Sequence, residues 1–255
     1  VNFRDSHWPF PTDGAPYGEG SPPPHDPARV DVPGALVDTP AVRAELARFH
    51  DGLRRMDATV GAMLDRLNQD EGTDDLVGFF TSDNGPPFPF AKTTLYEAGI
   101  HMPLVAFGRG VEPGVDDHLI SLTDLLPTLA KLTNAQVPTD RIIDGKDISD
   151  ILLGKKAAQS PHHHHYYENE GIRRGNWKLV KKGSRSELYD LSKDPGEKKD
   201  LSGSHPELVK ELDRALQKHA SSIAANLRPA GIAKNPKPIL REVGELPTLK
   251  QYLGK

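Results

Sequence analysis

Asp83 and Asn84 stand side by side in Thr81-Ser82-Asp83-Asn84-Gly85, and Lys92 follows nine residues after the aspartate. A carboxylate beside an amide carbonyl offers two hard oxygen ligands, the donor type that calcium and magnesium take. A compact ammonium close by is a good point-charge partner for a tetrahedral oxyanion. Each has a plainer reading alone: Asp-Asn-Gly is more often a simple turn, and most lysines are solvated. His7, in Asn2-Phe3-Arg4-Asp5-Ser6-His7-Trp8-Pro9-Phe10, adds an imidazole, a group that binds anions or moves protons near neutral pH. The run His162 to His165 holds four potential metal ligands. Consecutive residues of an extended segment point to alternate faces, so at most two converge on one ion, and a polar loop or strand entry is favoured. Trp177 could stack on a sugar, but alternation in a short strand favours a packing role.

The elements around these residues follow from periodicity. Leu76 to Thr81 is a short, nearly continuous apolar run, as expected of a central parallel strand buried on both faces. It stops at Ser82-Asp83-Asn84, which puts both candidate ligands at the carboxyl end of a strand, where α/β sheets place ligands. Val1 to Phe3 reads as the end of another strand, with His7 on the loop that leaves it. Thr39-Pro40 is a helix start, and Val42, Leu46, Phe49, Leu53, Met56, Val60, Leu64 and Leu67 recur at three and four, predicting a long amphipathic helix. Met102 to Phe107 reads as a second buried strand and Leu119 to Leu132 as a helix. This alternation predicts an α/β domain over residues 1–150 with a mostly parallel central sheet.

After Gly145 the pattern changes. A short helix around Ile148 to Leu153 leads to short strands at Tyr166 to Glu168, Trp177 to Val180 and Glu187 to Tyr189. One helical face follows at Leu208, Val209, Leu212 and Leu216. Residues 151–225 are therefore expected to form a small α+β subdomain. Residues 226–255, with Pro229, Pro236, Pro238 and Pro247, are expected to be an extended arm.

Composition narrows the function classes. A net charge of −4 with dispersed Lys and Arg leaves no footprint for nucleic acid. No apolar run approaches the roughly 20 residues needed to span a bilayer, so no membrane insertion is expected. The chain has no Cys, which excludes disulfides, thiolate metal sites and a cysteine nucleophile within it. It opens on Val1 and is expected to be part of a longer protein, inactive by itself.

In combination, Thr81-Ser82-Asp83-Asn84-Gly85 followed by Lys92-Thr93-Thr94-Leu95-Tyr96-Glu97-Ala98-Gly99-Ile100 and Pro103-Leu104 resembles the second signature region of the sulfatase family, formylglycine-dependent enzymes of the alkaline-phosphatase-like superfamily. The segment around His7 is similar to the family's histidine-bearing loop, with Ser6 where Pro is usual. Asp144-Gly145-Lys146-Asp147, Arg174-Gly175-Asn176-Trp177-Lys178-Leu179 and Glu187-Leu188-Tyr189-Asp190-Leu191, with Asp194-Pro195 and Glu197, are similar to its carboxy-terminal subdomain. Pro87-Phe88-Pro89-Phe90 resembles the sulfamidase and heparan-sulfatase branch, while the region after Gly145 lies nearer generic arylsulfatases.

The resemblance implies hydrolysis of a sulfate ester or sulfamate on a small molecule or glycan. It further implies one calcium held partly by Asp83 and Asn84, sulfate contacts from Lys92 and His7, and a formylglycine nucleophile in an amino-terminal half outside this chain. His7 would either bind sulfate or protonate the leaving group, and the sequence does not separate these roles. A periplasmic or secreted location is implied in the same way. Two other readings stand beside it: a phosphoester or phosphonate hydrolase of the same superfamily, distinguished by a pair of transition metals, and a non-catalytic module that binds sulfated glycans.

Overall fold

The long helix α1, Pro40–Gln69, begins as its sequence dictates: Thr39 Oγ1 accepts the Val42 amide at 3.2 Å, and Pro40 occupies the first turn. A computed structural model describes residues 1–10, 23–69 and 75–227. The chain divides into two compact units, residues 1–219 and 220–255. Leu46 and Ala47 on the inner face of α1 pack with Val30, and Val32, Leu36, Val42 and Phe88 close over them. Full burial of a valine or leucine such as Val30 or Leu46 is worth about 1.5–3 kcal/mol.

Strand β1, Val77–Thr81, pairs with β2, Leu104–Gly108, in register Val77 to Gly108 and Thr81 to Leu104. The pairing is antiparallel, in contrast to the parallel neighbours expected from the apolar run. All five residues of β1 are half-buried rather than buried, and Val105 of β2 is 53% exposed. An apolar run reports burial, whereas strand direction is set by the connection. Here the link carries only the four-residue helix α2, Glu97–Ile100, rather than a full crossover helix, and the chain returns beside β1 in the opposite sense. Gly78 is required in β1 because the Phe107 ring lies over it; a Cβ there would come within 2.2 Å of the ring. Val1–Phe3 belongs to no strand among the described residues, and Val1 is fully exposed. A short apolar stretch becomes a strand only where a neighbour accepts its backbone bonds.

Beyond β2, Ser121 and Asp124 form a reciprocal capping box around a 3-10 turn, Leu122–Asp124, which leads into α3, Leu125–Leu132. Asp124 is fully buried and also accepts the Lys146 amide at 2.8 Å, while Thr128 Oγ1 accepts that of Ile148 at 3.0 Å. These bonds dock the segment before α4, Ser149–Leu152, onto α3.

A four-stranded antiparallel meander follows, with strands β3, His165–Tyr167, β4, Gly171–Arg174, β5, Trp177–Lys182, and β6, Arg185–Asp190, in that spatial order. Strand β4 is an addition to the expected set, since Gly-Ile-Arg-Arg carries little strand signal. Its hairpin to β5 turns on Gly175-Asn176 and the next on Gly183-Ser184, with both glycines at positive φ, as two-residue hairpin loops require. Helix α5, Pro206–Ala225, lays Leu212 and Leu216 on Ile172, Leu179 and Leu188 of the sheet, and all five residues are buried. Replacing Leu212 by Ala should cost about 2–5 kcal/mol, the range for a buried leucine that leaves a cavity. A fall in the urea midpoint at constant slope reads this effect, and an unchanged midpoint would contradict the packing. Nearly all of the expected Pro-rich arm, residues 228–255, lies outside the described residues.

Candidate active site

The loop that leaves β1 is closed by backbone. Gly85 donates its amide to Gly99 O at 3.0 Å, and a Cβ on Gly85 would sit 2.0 Å from Ala98 O. A Cβ on Gly99 would be 2.4 Å from Ala91 O and 2.5 Å from Thr94 O. Only glycine permits three backbone segments to approach this closely. Lys92 lies within the closure, its amide donating to Pro86 O at 3.1 Å and its neighbour Thr94 donating its hydroxyl to Ala91 O at 2.8 Å. Phe90 and Thr93, on either side of Lys92, hold φ values of 63° and 68°. Such left-handed backbone in non-glycine residues persists only where the surroundings impose it, and it concentrates at functional sites.

Asp83 is exposed, Asn84 and Lys92 are half-buried, and among the described residues none of the three side chains has a hydrogen-bond or ion-pair partner. A carboxylate and an ammonium left unpartnered on rigid backbone are available to ligands. Asp83 and Asn84 fit calcium in donor chemistry, as neighbouring hard oxygens, and supply part of the about six to eight ligands that the ion takes.

His7 lies on a separate loop. Its amide closes a turn onto Arg4 O at 3.0 Å, and its Nδ1 donates to Trp8 O at 2.6 Å. A carbonyl only accepts, so the bond puts the proton on Nδ1 and leaves Nε2 free. The preceding Asp5 pairs with Arg55, and Gly52 lets Asp5 approach α1, where a Cβ would fall 2.3 Å from its carbonyl. Phe10 then buries its ring 5.4 Å from Phe49 of α1 and 5.8 Å from Phe88, with Phe49 and Phe88 5.5 Å apart. These three rings tie the His7 loop, α1 and the Lys92 loop together. In the sequence the three phenylalanines are dispersed, and no local signal joins them.

Among the described residues no group of three or more His, Cys, Asp or Glu side chains is arranged to hold a metal. His162 instead presents Nε2 to both Asp124 oxygens at 2.8 and 2.9 Å, which gives it a structural partner. His165 opens β3, and its imidazole is pushed toward neutrality by burial and then by His162. Trp177 opens β5, packs on the meander core and meets His205 edge-on at 5.0 Å.

A charged cluster that sequence reading missed lies under the signature loop. Lys178 of β5 is fully buried, with Nζ 2.8 Å from Glu97 Oε1 and 2.9 Å from Glu197 Oε1. Glu197 Oε2 accepts the Glu97 amide at 2.5 Å, and Arg173 lies 3.6 Å from Glu97 Oε2. Tyr96 donates to Glu187 Oε2 at 2.9 Å, as does Tyr189, whose ionisation is pushed up by burial and by that bond. Burial, and then the negative charge of Glu97, likewise raises Tyr167. Alternation puts Lys178 on the face of β5 opposite Leu179 and α5, which reads locally as solvated, and only the packing of the Glu97 segment covers it.

Two family models match the chain: Sulfatase over residues 1–135, and N-sulphoglucosamine sulphohydrolase, C-terminal, over residues 88–222. The chain belongs to the sulfatase family. This sulfatase chain is 31% identical to human arylsulfatase A over 249 residues, covering 79% of its own length and 49% of that protein. It is 36% identical to human N-sulphoglucosamine sulphohydrolase over 132 residues, 49% of this chain and 25% of that one. The sulfamidase likeness thus runs past Phe90 through the region after Gly145. The mixed α/β fold superposes on a solved 2-O GAG sulfatase with a TM-score of 0.61 at 23% identity, over 73% of this chain and 45% of that one. The chain spans about half the length of the first three curated relatives that it matches. No helix among the described residues is long and apolar enough to cross a membrane.

Proposed function

We propose that the intact protein hydrolyses the sulfate ester or sulfamate of a sulfated glycan. The reading is carried by the signature loop, which presents the Asp83, Asn84 and Lys92 side chains, unpartnered among the described residues, on backbone closed by Gly85 and Gly99. The sulfated-sugar class is supported by the likeness to N-sulphoglucosamine sulphohydrolase. In this reading residues 1–150 belong to a catalytic domain whose central sheet is mostly parallel. Residues 151–225 form its sheet-and-helix subdomain, and a formylglycine nucleophile lies outside the 255 residues.

Asp83 and Asn84 would hold calcium through side-chain oxygens, the carboxylate contributing charge and the amide a neutral dipole. An ion held there would supply Lewis-acid stabilisation of the charge that builds during attack on sulfur. Lys92 directs its ammonium to another sulfate oxygen, and because its loop is already fixed, little reorganisation is needed as charge builds. His7 keeps its Nδ1 proton on Trp8 O, so Nε2 is the atom that meets the substrate. Nε2 binds a sulfate oxygen or, in the charged imidazole, hands its proton to the departing oxygen or nitrogen.

A leaving-group series tests these assignments. Lys92→Ala should lower kcat by about 10²-fold for every substrate, because the lost interaction is with sulfate itself. His7→Ala should slow poor leaving groups far more than activated aryl sulfates if His7 is the acid. Equal losses across the series would reject the acid role and retain anion binding. An intact wild type that turned over neither aryl sulfates nor N-sulfated glucosamine would overturn the functional reading.

A further inference from the structure

The Lys92 loop has two ends, and they are held by different parts of the structure. Its leading end is pinned by the Gly85 to Gly99 backbone bond and by Phe88 in the ring cluster on α1. The trailing end, Leu95-Tyr96-Glu97, turns onto the carboxy-terminal meander, and each of its side chains meets the sheet. Leu95 packs on Gly171 of β4, where a Cβ would lie 3.2 Å from Leu95 Cδ1. Tyr96 bonds Glu187 of β6, and its ring lies beneath the Lys182 ammonium at 4.7 Å. Glu97 is clamped by Lys178 and, through its amide, by Glu197, a residue at φ 50° whose side chain is 2% exposed.

We infer that Lys178, with Glu97 and Glu197, is a positioning cluster that sets the place of Lys92. The inference rests on the reading of Lys92 as the sulfate-binding cation. A buried lysine held by two carboxylates, with Arg173 as the second cation, balances two positive against two negative charges. As a way to add stability alone such a cluster is poor, because apolar residues of similar volume do as well or better. What a charged cluster contributes beyond packing is a single geometry, since its ion pairs and hydrogen bonds form together only in one arrangement; buried Glu197 Oε1 meets Lys178 as an ion pair without a hydrogen bond. That geometry is transmitted over five residues to Lys92 through backbone already closed by Gly99 against Ala91 and Thr94. The meander thereby acts as the platform for a residue that catalysis needs at a defined distance from sulfur. Tyr167, 5.5 Å below the Lys178 ammonium, completes the walls of the cluster.

The test uses the intact protein with a neutral, size-matched triple variant, Lys178→Met with Glu97→Gln and Glu197→Gln, and a milder one, Tyr96→Phe, which keeps the ring. Hydrogen exchange at the amides of residues 88–96 should rise by about tenfold or more in the triple variant and less in Tyr96→Phe, with α1 and α5 unchanged. The kcat for an aryl sulfate should fall by about 10- to 100-fold, with calcium affinity unaltered. In a Lys92→Ala background the triple variant should cost less than about twofold more, because both changes remove one interaction. Unchanged exchange over residues 88–96, or fully additive losses in kcat, would overturn the inference. Exchange is read independently of turnover, so an inactive wild type with the expected exchange change overturns the sulfatase reading and not the platform.

Discussion

Asp83→Ala in the intact protein should abolish calcium binding and lower turnover by about 10³-fold or more. The carboxylate is the only charged oxygen at the end of β1, and among the described residues it has no other partner, so its role is not shared with an internal ion pair. Removing it deletes an anionic ligand from a hard cation and with it charge stabilisation worth several kcal/mol, where about 1.4 kcal/mol is tenfold in rate. Asn84→Ala should cost less, since a neutral carbonyl is lost and water can replace it. Because Asp83 is exposed, Asn84 is half-buried and neither side chain is paired among the described residues, neither change should alter the stability of the metal-free protein by more than about 0.5 kcal/mol. Calorimetric titration with calcium decides the matter, and wild-type affinity in Asp83→Ala would rule this residue out as a ligand.

Lys178→Met should be the most destabilising single change in the meander, at about 3–5 kcal/mol. The ammonium is fully buried between Glu97 and Glu197, and its removal leaves two largely buried carboxylates without it, with Arg173 at 3.6 Å and the exposed His101 imidazole at 3.2 Å from Glu97 Oε2 as partial counter-charges. Adding Glu97→Gln and Glu197→Gln to the same chain should restore most of the loss, because the penalty comes from unpaired charge rather than from lost volume. Urea unfolding of the single and triple variants measures both figures. A single variant within about 1 kcal/mol of wild type would show that Lys178 is not the counter-charge the structure makes it.

The two halves of the candidate site differ in how they could be read. Asp83, Asn84 and Lys92 lie within ten residues, with Gly85 and Gly99 around them, so chemistry and loop geometry are written in one segment. His7 is separated from that segment by 75 residues and is tied to it through Phe10, Phe49 and Phe88, each of which reads locally as an ordinary apolar residue. His162 shows the reverse case: a conspicuous histidine run whose first member is occupied by buried Asp124.

Local spacing was enough for α1, for the helix at Pro206, for most meander strands and for the signature loop, because helix caps, period and hard-oxygen chemistry depend on residues close in the chain. It determined equally that these 255 residues hold no cysteine nucleophile. Tertiary structure alone decided that β2 runs antiparallel to β1, since direction follows the path of the link and not the apolarity of the strand. It also decided the partners of buried charge: Glu97 and Lys178 are 81 residues apart, and Glu97 and Glu197 are 100 apart. A charged side chain states in sequence only that it must be compensated if buried; which charge compensates it depends on how distant segments pack.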